Sequence, residues 1–271
     1  MVGVRLRTKL SEFHDVYTAG RDGAADLVFD LEQDHELPIS EAFDVIIHCA
    51  ASFGGDTTNE MLKNEQVNSL GALRVARLAQ ETSCAHVVYV STIFAYEHPD
   101  NGYFGSYGLS KRHAQENLRL WCRNAGVVFT ALLPSQIYDE AGQARKHQAF
   151  FYHILDSARR DEDVGLFGNA DPLRNYLFVG DLADAIERVV ALRAGGAFPC
   201  LGPDSLPLSA IARLAMEVFG TKGRVSFLPD KPNLRTVFLP HDDSLYSATG
   251  YRPPTGMREG MVRIRDYVAA S

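Results

Sequence analysis

Two hydrophobic periods take turns along this chain, and their order restricts the fold more than any other feature. Leu6, Leu10 and Phe13 recur at i, i+4 and i+7, the spacing of one helix face. Two short β-rich runs follow, "DVYTAG" and "DLVFDL", and then "DVIIHCAA". The nearly unbroken apolar character of that third run predicts a strand buried on both faces. A long helix is expected from about Asn59 to Thr82, burying Leu70, Leu73 and Ala76. "HVVYVST" reads as a strand, "SYGLSKRHAQENLRLWCRNAG" as a helix with Gly126 just past its end, and "VVFTALLP" as a strand again. Strands that alternate with helices are joined by crossovers and lie parallel, so the expected class is α/β with a doubly wound parallel sheet.

Beyond Pro134 the regularity loosens. "SQIYDEAGQARKHQ" reads as a polar surface loop near the carboxyl edge of the sheet. A strand "YLFVG", a helix "DLADAIERVVALRAGG", a short strand "FPCLG", a helix from about Ser209 and a strand "RVSFLP" come next. The end of the chain reads as a small mixed lobe with an amphipathic last helix, packed on the sheet as one wall of a cleft.

The net charge of −7 argues against nucleic acid or an anionic membrane as main partner. No apolar run reaches the roughly 18–20 residues that span a bilayer, and the amphipathic, basic start does not read as a signal peptide. Cys49, Cys84, Cys122 and Cys200 are scattered, without a CxxC pair or a histidine at zinc spacing. They read as reduced thiols of a cytoplasmic protein, and no metal site is expected.

The sharpest chemical signal is "SYGLSK", which puts Tyr107 and Lys111 one helical turn apart on one face. An ammonium beside a phenol stabilises the phenolate and draws the tyrosine towards the range of a general acid–base. Alone, such a pair is as readily two surface residues sharing a helix. Upstream, "VVYVST" sets Ser91 and Thr92 where a central strand meets its loop, the place where ligands of open α/β sheets bind.

Six stretches, "DVIIHCAA", "VNSLGALRVA", "VVYVSTIFAY", "SYGLSK", "LLPSQIY" and "RNYLFVGDLADAI", occur in this order at suitable spacing. Together they resemble the extended short-chain dehydrogenases/reductases, the NAD(P)-dependent epimerase/dehydratase family, over nearly the whole chain. The resemblance implies a Rossmann-type dinucleotide-binding domain over residues 1–160, with 174–200 contributing, and a mainly substrate-binding lobe over 161–271. It implies Thr92, Tyr107 and Lys111 as the catalytic set, Thr92 because it lies four residues before Tyr96, which matches the tyrosine of the family's "VYG". Tyr107 would move a proton on the substrate oxygen, Thr92 would orient that oxygen, and Lys111 would hold the nicotinamide ribose. Ala50, Ala51, Ser91 and Pro134 would line the cofactor. Asn68 would brace the central strands, and Asp30 with Leu31 would lie near the adenine. A homodimer through the Tyr107 helix and the long helix before it is common in such proteins.

The chain opens "MVG", which resembles the tail of the family's GxxGxxG loop, with Gly3 as the third glycine. The first strand and two glycines, roughly ten to twelve residues, have no counterpart. Met1 is then either an internal methionine of a longer chain or the start of a truncated protein with damaged cofactor affinity. The intact downstream blocks favour the first. The missing strand belongs in the middle of the sheet, so its neighbours are expected to carry unpaired backbone groups.

Relatives that prefer NAD place an acidic residue at the end of the second strand, where this chain has Gly20 followed by Arg21. A guanidinium there suits a 2′-phosphate and favours NADP(H), with NAD as the alternative. Arg174 matches a position that often contacts the diphosphate of a nucleotide sugar, and Phe53, Gln136, Asn101 and Tyr103 are further cleft candidates. Phe53, Gly54 and Gly55 form a loop expected to be flexible, lie above the nicotinamide and shape the sugar pocket. Dehydratases of this type carry an Asp–Glu pair after the threonine, whereas Ile93 and Phe94 here cannot move protons. The expected activity is a 4-ketoreductase-type hydride transfer on a nucleotide-linked sugar. A 4-epimerase, a non-catalytic dinucleotide binder and an inactive paralogue are the alternatives.

Overall fold

The computed structural model describes residues 1–33, 41–96 and 103–271. Helix α1 (Val2–Leu10) leads to two short strands, β1 (Ala19–Gly20) and β2 (Leu27–Val28), and then to β3 (Val45–His48). Helix α2 (Thr58–Asn64), a π-helical turn (Glu65–Leu70) and α3 (Gly71–Glu81) run on as one rod. Next come β4 (His86–Val90), α4 (Ser106–Ala125), β5 (Val128–Pro134), β6 (Gln136–Tyr138), α5 (Ala149–Arg159), β7 (Val164–Phe167) and β8 (Leu173–Phe178). The chain ends with α6 (Val179–Ala191), β9 (Gly196–Cys200), β10 (Ser205–Pro207), α7 (Leu208–Phe219), β11 (Val225–Leu228), α8 (Ser244–Thr249) and α9 (Met257–Ala270).

The central sheet is parallel in the order β3-β4-β5-β9, with Val90 opposite Leu132 and Pro134 opposite Cys200. Strand β4 is buried at all five positions, and its alternation shows how both faces are covered. Val87 and Tyr89 pack with Ala72, Ala76, Ala114, Leu118 and Cys122 from α3 and α4. Val88 and Val90 pack with Leu6 and Leu10 of α1 and Leu182, Ile186 and Val189 of α6. Burial of each large aliphatic side chain contributes about 1.5–3 kcal/mol. The expected doubly wound α/β architecture is the one observed. A separate core joins α5, α7 and α9 to β6, β7 and β8. Asp181 at the start of α6 ties the terminal segment down, accepting from the Thr255 amide at 2.8 Å and its hydroxyl at 2.7 Å. No helix among the described residues is long and apolar enough to cross a membrane.

Four sequence expectations are corrected. Helix α1 closes at Leu10, so Phe13 falls beyond its last turn and is exposed. The long helix does not bury Leu70 and Leu73. The π-helical turn inserts a residue and rotates the rod by about 100°, so both leucines face outward while Asn68, Ser69 and Ala72 turn in. The stretch from Ser135 is not merely a surface loop, because Gln136–Tyr138 pairs with Tyr176–Phe178 and Tyr138 is fully buried. Lastly, Val45, Ile46 and Ile47 are only half-buried despite their continuous apolar run. Strands β1 and β2 pair with each other, and among the described residues no strand pairs β1 with β3. One edge of β3 is therefore open, at the point where a first strand was expected.

Amides of β3 alternate between the β4 ladder and this open edge. Native-state hydrogen exchange should find the edge-facing amides of β3 exchanging orders of magnitude faster than those of β4. Uniform protection along β3 would mean that another strand covers the edge.

Candidate active site

The carboxyl ends of β3, β4 and β5 lie side by side at one edge of the sheet, where open α/β sheets form their ligand crevice, and α4 starts beside them. Ser106, the first residue of α4, is capped from another loop: its amide donates to the Asp56 carboxylate at 2.7 Å, and its hydroxyl donates to the Gly55 carbonyl at 2.9 Å. Gly108 lets the helix approach the segment after β4, since a Cβ there would lie 2.4 Å from the Phe94 carbonyl oxygen. This approach brings Tyr107 to Thr92. The Thr92 hydroxyl accepts from the Phe94 amide at 3.2 Å and neighbours the Tyr107 phenol. Burial pushes that phenol well above its ordinary value, and the nearby Thr92 hydroxyl opposes the rise.

Lys111 is 2% exposed. Its ammonium donates to the Val90 carbonyl at 2.7 Å and lies 4.2 Å from the centre of the Tyr89 ring. Burial draws it down to about 7, with Cys49 opposing. The expected acidification of Tyr107 by Lys111 is not the dominant contact here. The two side chains share a helix face, yet the phenol neighbours Thr92 and the ammonium is held by a backbone carbonyl. His48, the last residue of β3, stacks on Tyr89 at 5.3 Å and is buried with Nε2 unpartnered. Burial, then the Lys111 charge, pushes it down to about 3.

Ala50 and Ala51 follow β3, Ser91 follows β4 and Pro134 ends β5, so these residues border the crevice. The buried hydroxyls of Ser91 and Ser135 and the Oε1 of Gln136 have no partner, which suits a polar ligand. With Lys111 and Tyr107 they fit the nicotinamide end of a dinucleotide. At the other end Gly3 sits in the first turn of α1, where a Cβ would meet the Cys49 sulfur at 3.6 Å. Arg21 is exposed just after β1. Asp30 follows β2 and accepts from the Glu32 amide (2.9 Å) and the Gln33 side chain (3.1 Å). Leu31 packs against Gly71, and its carbonyl accepts from Arg74.

On the lobe side, Arg174 is 6% exposed. Its guanidinium donates to the carbonyls of Leu173 (2.9 Å) and Arg235 (2.6 Å) and to the Tyr103 hydroxyl (2.7 Å). Among the described residues no carboxylate pairs with it. Gln136 donates to Gln148 at 2.9 Å. Phe53 is 55% exposed and stacks on Tyr107 with centroids 4.6 Å apart and planes 21° apart. Its ring also lies 4.2 Å from that of His147. Asn101 lies outside the described residues.

Sequence reasoning missed Asn64, Asp56, Gly108, His48 and His147. Two of these carried a readable signal. Asn64 and Asn68 stand four apart on a helix otherwise rich in apolar residues, and Gly108 interrupts a helical pattern directly beside the tyrosine.

Two outcomes follow from this packing. A Gly→Ala change inside a helix ordinarily gains about 1 kcal/mol, but at Gly108 the clash with Phe94 should reverse the sign and cost about 1–3 kcal/mol. Urea unfolding measures it, and a stabilised variant would mean that α4 is not seated on that carbonyl. The buried imidazoles set an acid response. His48 and His86 are held at about 3 and about 4, against an ordinary value of 6.5. Between those limits the unfolded chain binds more protons than the native one, so stability falls as pH drops from 6.5 towards 4. His48→Phe should flatten that fall in urea midpoints, and an unchanged slope would remove His48 from the effect.

Comparison with known proteins agrees with this fold. The model of the NAD dependent epimerase/dehydratase family matches residues 27–198, more than half of the chain. A dTDP-4-dehydro-6-deoxy-D-allose reductase of Streptomyces bikiniensis is 22% identical over 215 residues, 72% of this chain and 65% of that protein. The structure of MoeE5 in complex with UDP-glucose and NAD superimposes with a TM-score of 0.80 at 18% identity, covering 99% of this chain and 95% of that one. The UDP-N-acetylglucosamine 4-epimerase of Bacillus cereus gives a TM-score of 0.79 at 17% identity, covering 100% and 94%. The chain belongs to the NAD dependent epimerase/dehydratase family, within the extended short-chain dehydrogenases/reductases, and is an NAD(P)-dependent enzyme.

Proposed function

We propose that this protein is an NADP(H)-dependent reductase that converts a 4-keto group of a nucleotide-linked sugar to an alcohol. The observation that carries the reading is the seating of Tyr107 beside Thr92 at the carboxyl end of β4, where Gly108 lets α4 approach Phe94, with buried Lys111 one turn behind. A bound nicotinamide supplies the hydride to the sugar carbon. Tyr107 gives its proton to the carbonyl oxygen, and Thr92 donates to the phenolate left behind. The Tyr107 phenol carries its proton at neutral pH, as a donor to a ketone must; burial raises its value and so weakens it as an acid, and the nearby Thr92 hydroxyl opposes that rise. Lys111, Ser91, Pro134, Ala50 and Ala51 hold the nicotinamide half, while Gly3, Asp30, Leu31 and Arg21 serve the adenosine half. Arg21 is the support for NADP(H) over NAD, since a guanidinium can grip a 2′-phosphate with two hydrogen bonds.

Arg174 supports the nucleotide sugar. A buried guanidinium served only by neutral groups is suited to an anion such as a diphosphate, and a hydrogen bond to a charged group contributes about 1.5–3 kcal/mol. Phe53 and Gln136 complete the sugar site. Ile93 is buried and Phe94 stacks on Tyr103, so no side chain directly after Thr92 can carry protons for a dehydration. In this reading residues 1–160 with 174–200 bind the dinucleotide and 161–271 mainly form the substrate lobe. A 4-epimerase is the second reading, favoured by the likeness to the Bacillus cereus enzyme.

Tyr107→Phe should lower turnover by about 10²–10⁴-fold and leave NADPH affinity within a few-fold. The assay follows nicotinamide absorbance with 4-keto nucleotide sugars, alongside product analysis with UDP-glucose and NAD. Stoichiometric loss of NADPH identifies a reductase, whereas sugar interconversion without net cofactor change identifies an epimerase. Unimpaired turnover by the phenylalanine variant would take Tyr107 out of the chemistry.

A further inference from the structure

Asn64 is fully buried, and its two polar atoms point in different directions. It ends α2 where the rod passes into the π-helical turn, a local irregularity often found beside functional sites. Its Oδ1 accepts from the Gly54 amide at 3.0 Å, and its Nδ2 donates to the Ser106 hydroxyl at 2.6 Å. Asn68, four residues on and 1% exposed, repeats the pattern. Its Oδ1 accepts from the Ser52 amide at 2.7 Å, and its Nδ2 donates to the Ser110 hydroxyl at 2.9 Å and the Ser52 carbonyl at 3.0 Å. Ser52 and Gly54 flank Phe53, while Ser106 and Ser110 bracket Tyr107. The two carboxamides therefore tie the backbone on either side of one ring to the helix that carries the other, and those two rings are stacked.

We propose that Asn64 is a positioning residue that fixes Phe53 against Tyr107, so that Phe53 forms a rigid aromatic wall for the sugar ring beside the phenol. The inference rests on the reading of Tyr107 as proton donor. Three features support it. The loop has little freedom of its own: a Cβ at Gly54 would lie 3.0 Å from Asn64 Oδ1, and one at Gly55 would lie 2.9 Å from the Glu60 carboxylate. The Phe53 ring has one face on Tyr107 and the other on His147, yet stays 55% exposed, so it presents an edge to the crevice. Pyranose rings carry an apolar C–H face, and the exposed edge of the Phe53 ring offers it an apolar wall to pack against. Loss of the Asn64 carboxamide would leave the Gly54 amide and the Ser106 hydroxyl each short of a partner and release both ends of the wall.

The test separates the wall from the chemistry. F53W placed in a W121F background carries the chain's sole indole, since Trp121 is the only tryptophan. Acrylamide quenching of that indole should rise severalfold on adding Asn64→Ala. The same rise is expected with Ser106→Ala, which removes the hydroxyl that accepts from Asn64 and donates to the Gly55 carbonyl, and serves if the first variant folds poorly. In the chain that keeps Phe53, Asn64→Ala should lower kcat by about 10²-fold, as small misplacements of reacting groups do, while the NADPH dissociation constant stays unchanged. A folded variant with unchanged quenching overturns the proposal. So does increased quenching with kcat intact, because Asn64 would then hold a loop without positioning anything. If the parent chain shows no nicotinamide-dependent turnover, that result counts against the assignment of Tyr107, and the quenching comparison alone decides on Asn64.

Discussion

Close approach of α4 to the segment after β4 is the constraint on which the site depends. Tyr107 can reach Thr92 only because Gly108 presents no Cβ to the Phe94 carbonyl. The same helix buries Ala114, Leu118 and Cys122 under the sheet, so packing of the core and placement of the phenol are one event. Residues that fix the start of α4 come from elsewhere in the chain: Asp56 and Gly55 from the loop after β3, Asn64 and Asn68 from the helical rod. The crevice is thus braced by cross-links among the loop after β3, the helical rod and α4, which favours a preorganised site over one assembled on binding.

Among the described residues, the two buried cations of the site have no carboxylate partner. Lys111 and Arg174 are both nearly inaccessible, and in place of carboxylates the described residues offer them carbonyls, a phenolic hydroxyl and aromatic faces. Desolvating a cation costs several kcal/mol unless something returns the lost hydration. At Lys111 this appears as an amine drawn down to about 7. Ligands rich in hydroxyls and phosphates complement such a site, and the orphaned hydroxyls of Ser91 and Ser135 point the same way. His48 sits beside Lys111 as a neutral imidazole and so adds no competing charge at neutral pH.

Much of this was legible from the amino-acid order. The parallel sheet followed from period switching, and Thr92, Tyr107 and Lys111 from a strand end, a helix turn and a family resemblance. What escaped was anything that depends on irregular backbone. The π-helical turn shifted the buried face away from Leu70 and Leu73, which no 3.6-residue template foresees. Helix α5 was hidden because its polar approach, rich in Gln, Lys and Arg, reads as loop. The partners of Lys111 also escaped, since i, i+4 spacing fixes the face a side chain shares but not the group it bonds. The half-exposed β3 shows the limit of composition: an apolar run announces a central strand, while burial depends on a neighbour on each side.

The account stands on Tyr107 as the group that hands a proton to substrate beside a nicotinamide. A crystal structure with an oxidised nicotinamide dinucleotide and a nucleotide sugar tests this most directly. The prediction is a Tyr107 hydroxyl at hydrogen-bond reach of the sugar oxygen, about 2.6–3.2 Å, with the Lys111 ammonium turned to the cofactor ribose. A nicotinamide lodged away from Tyr107, with Lys111 still on the Val90 carbonyl, would contradict it.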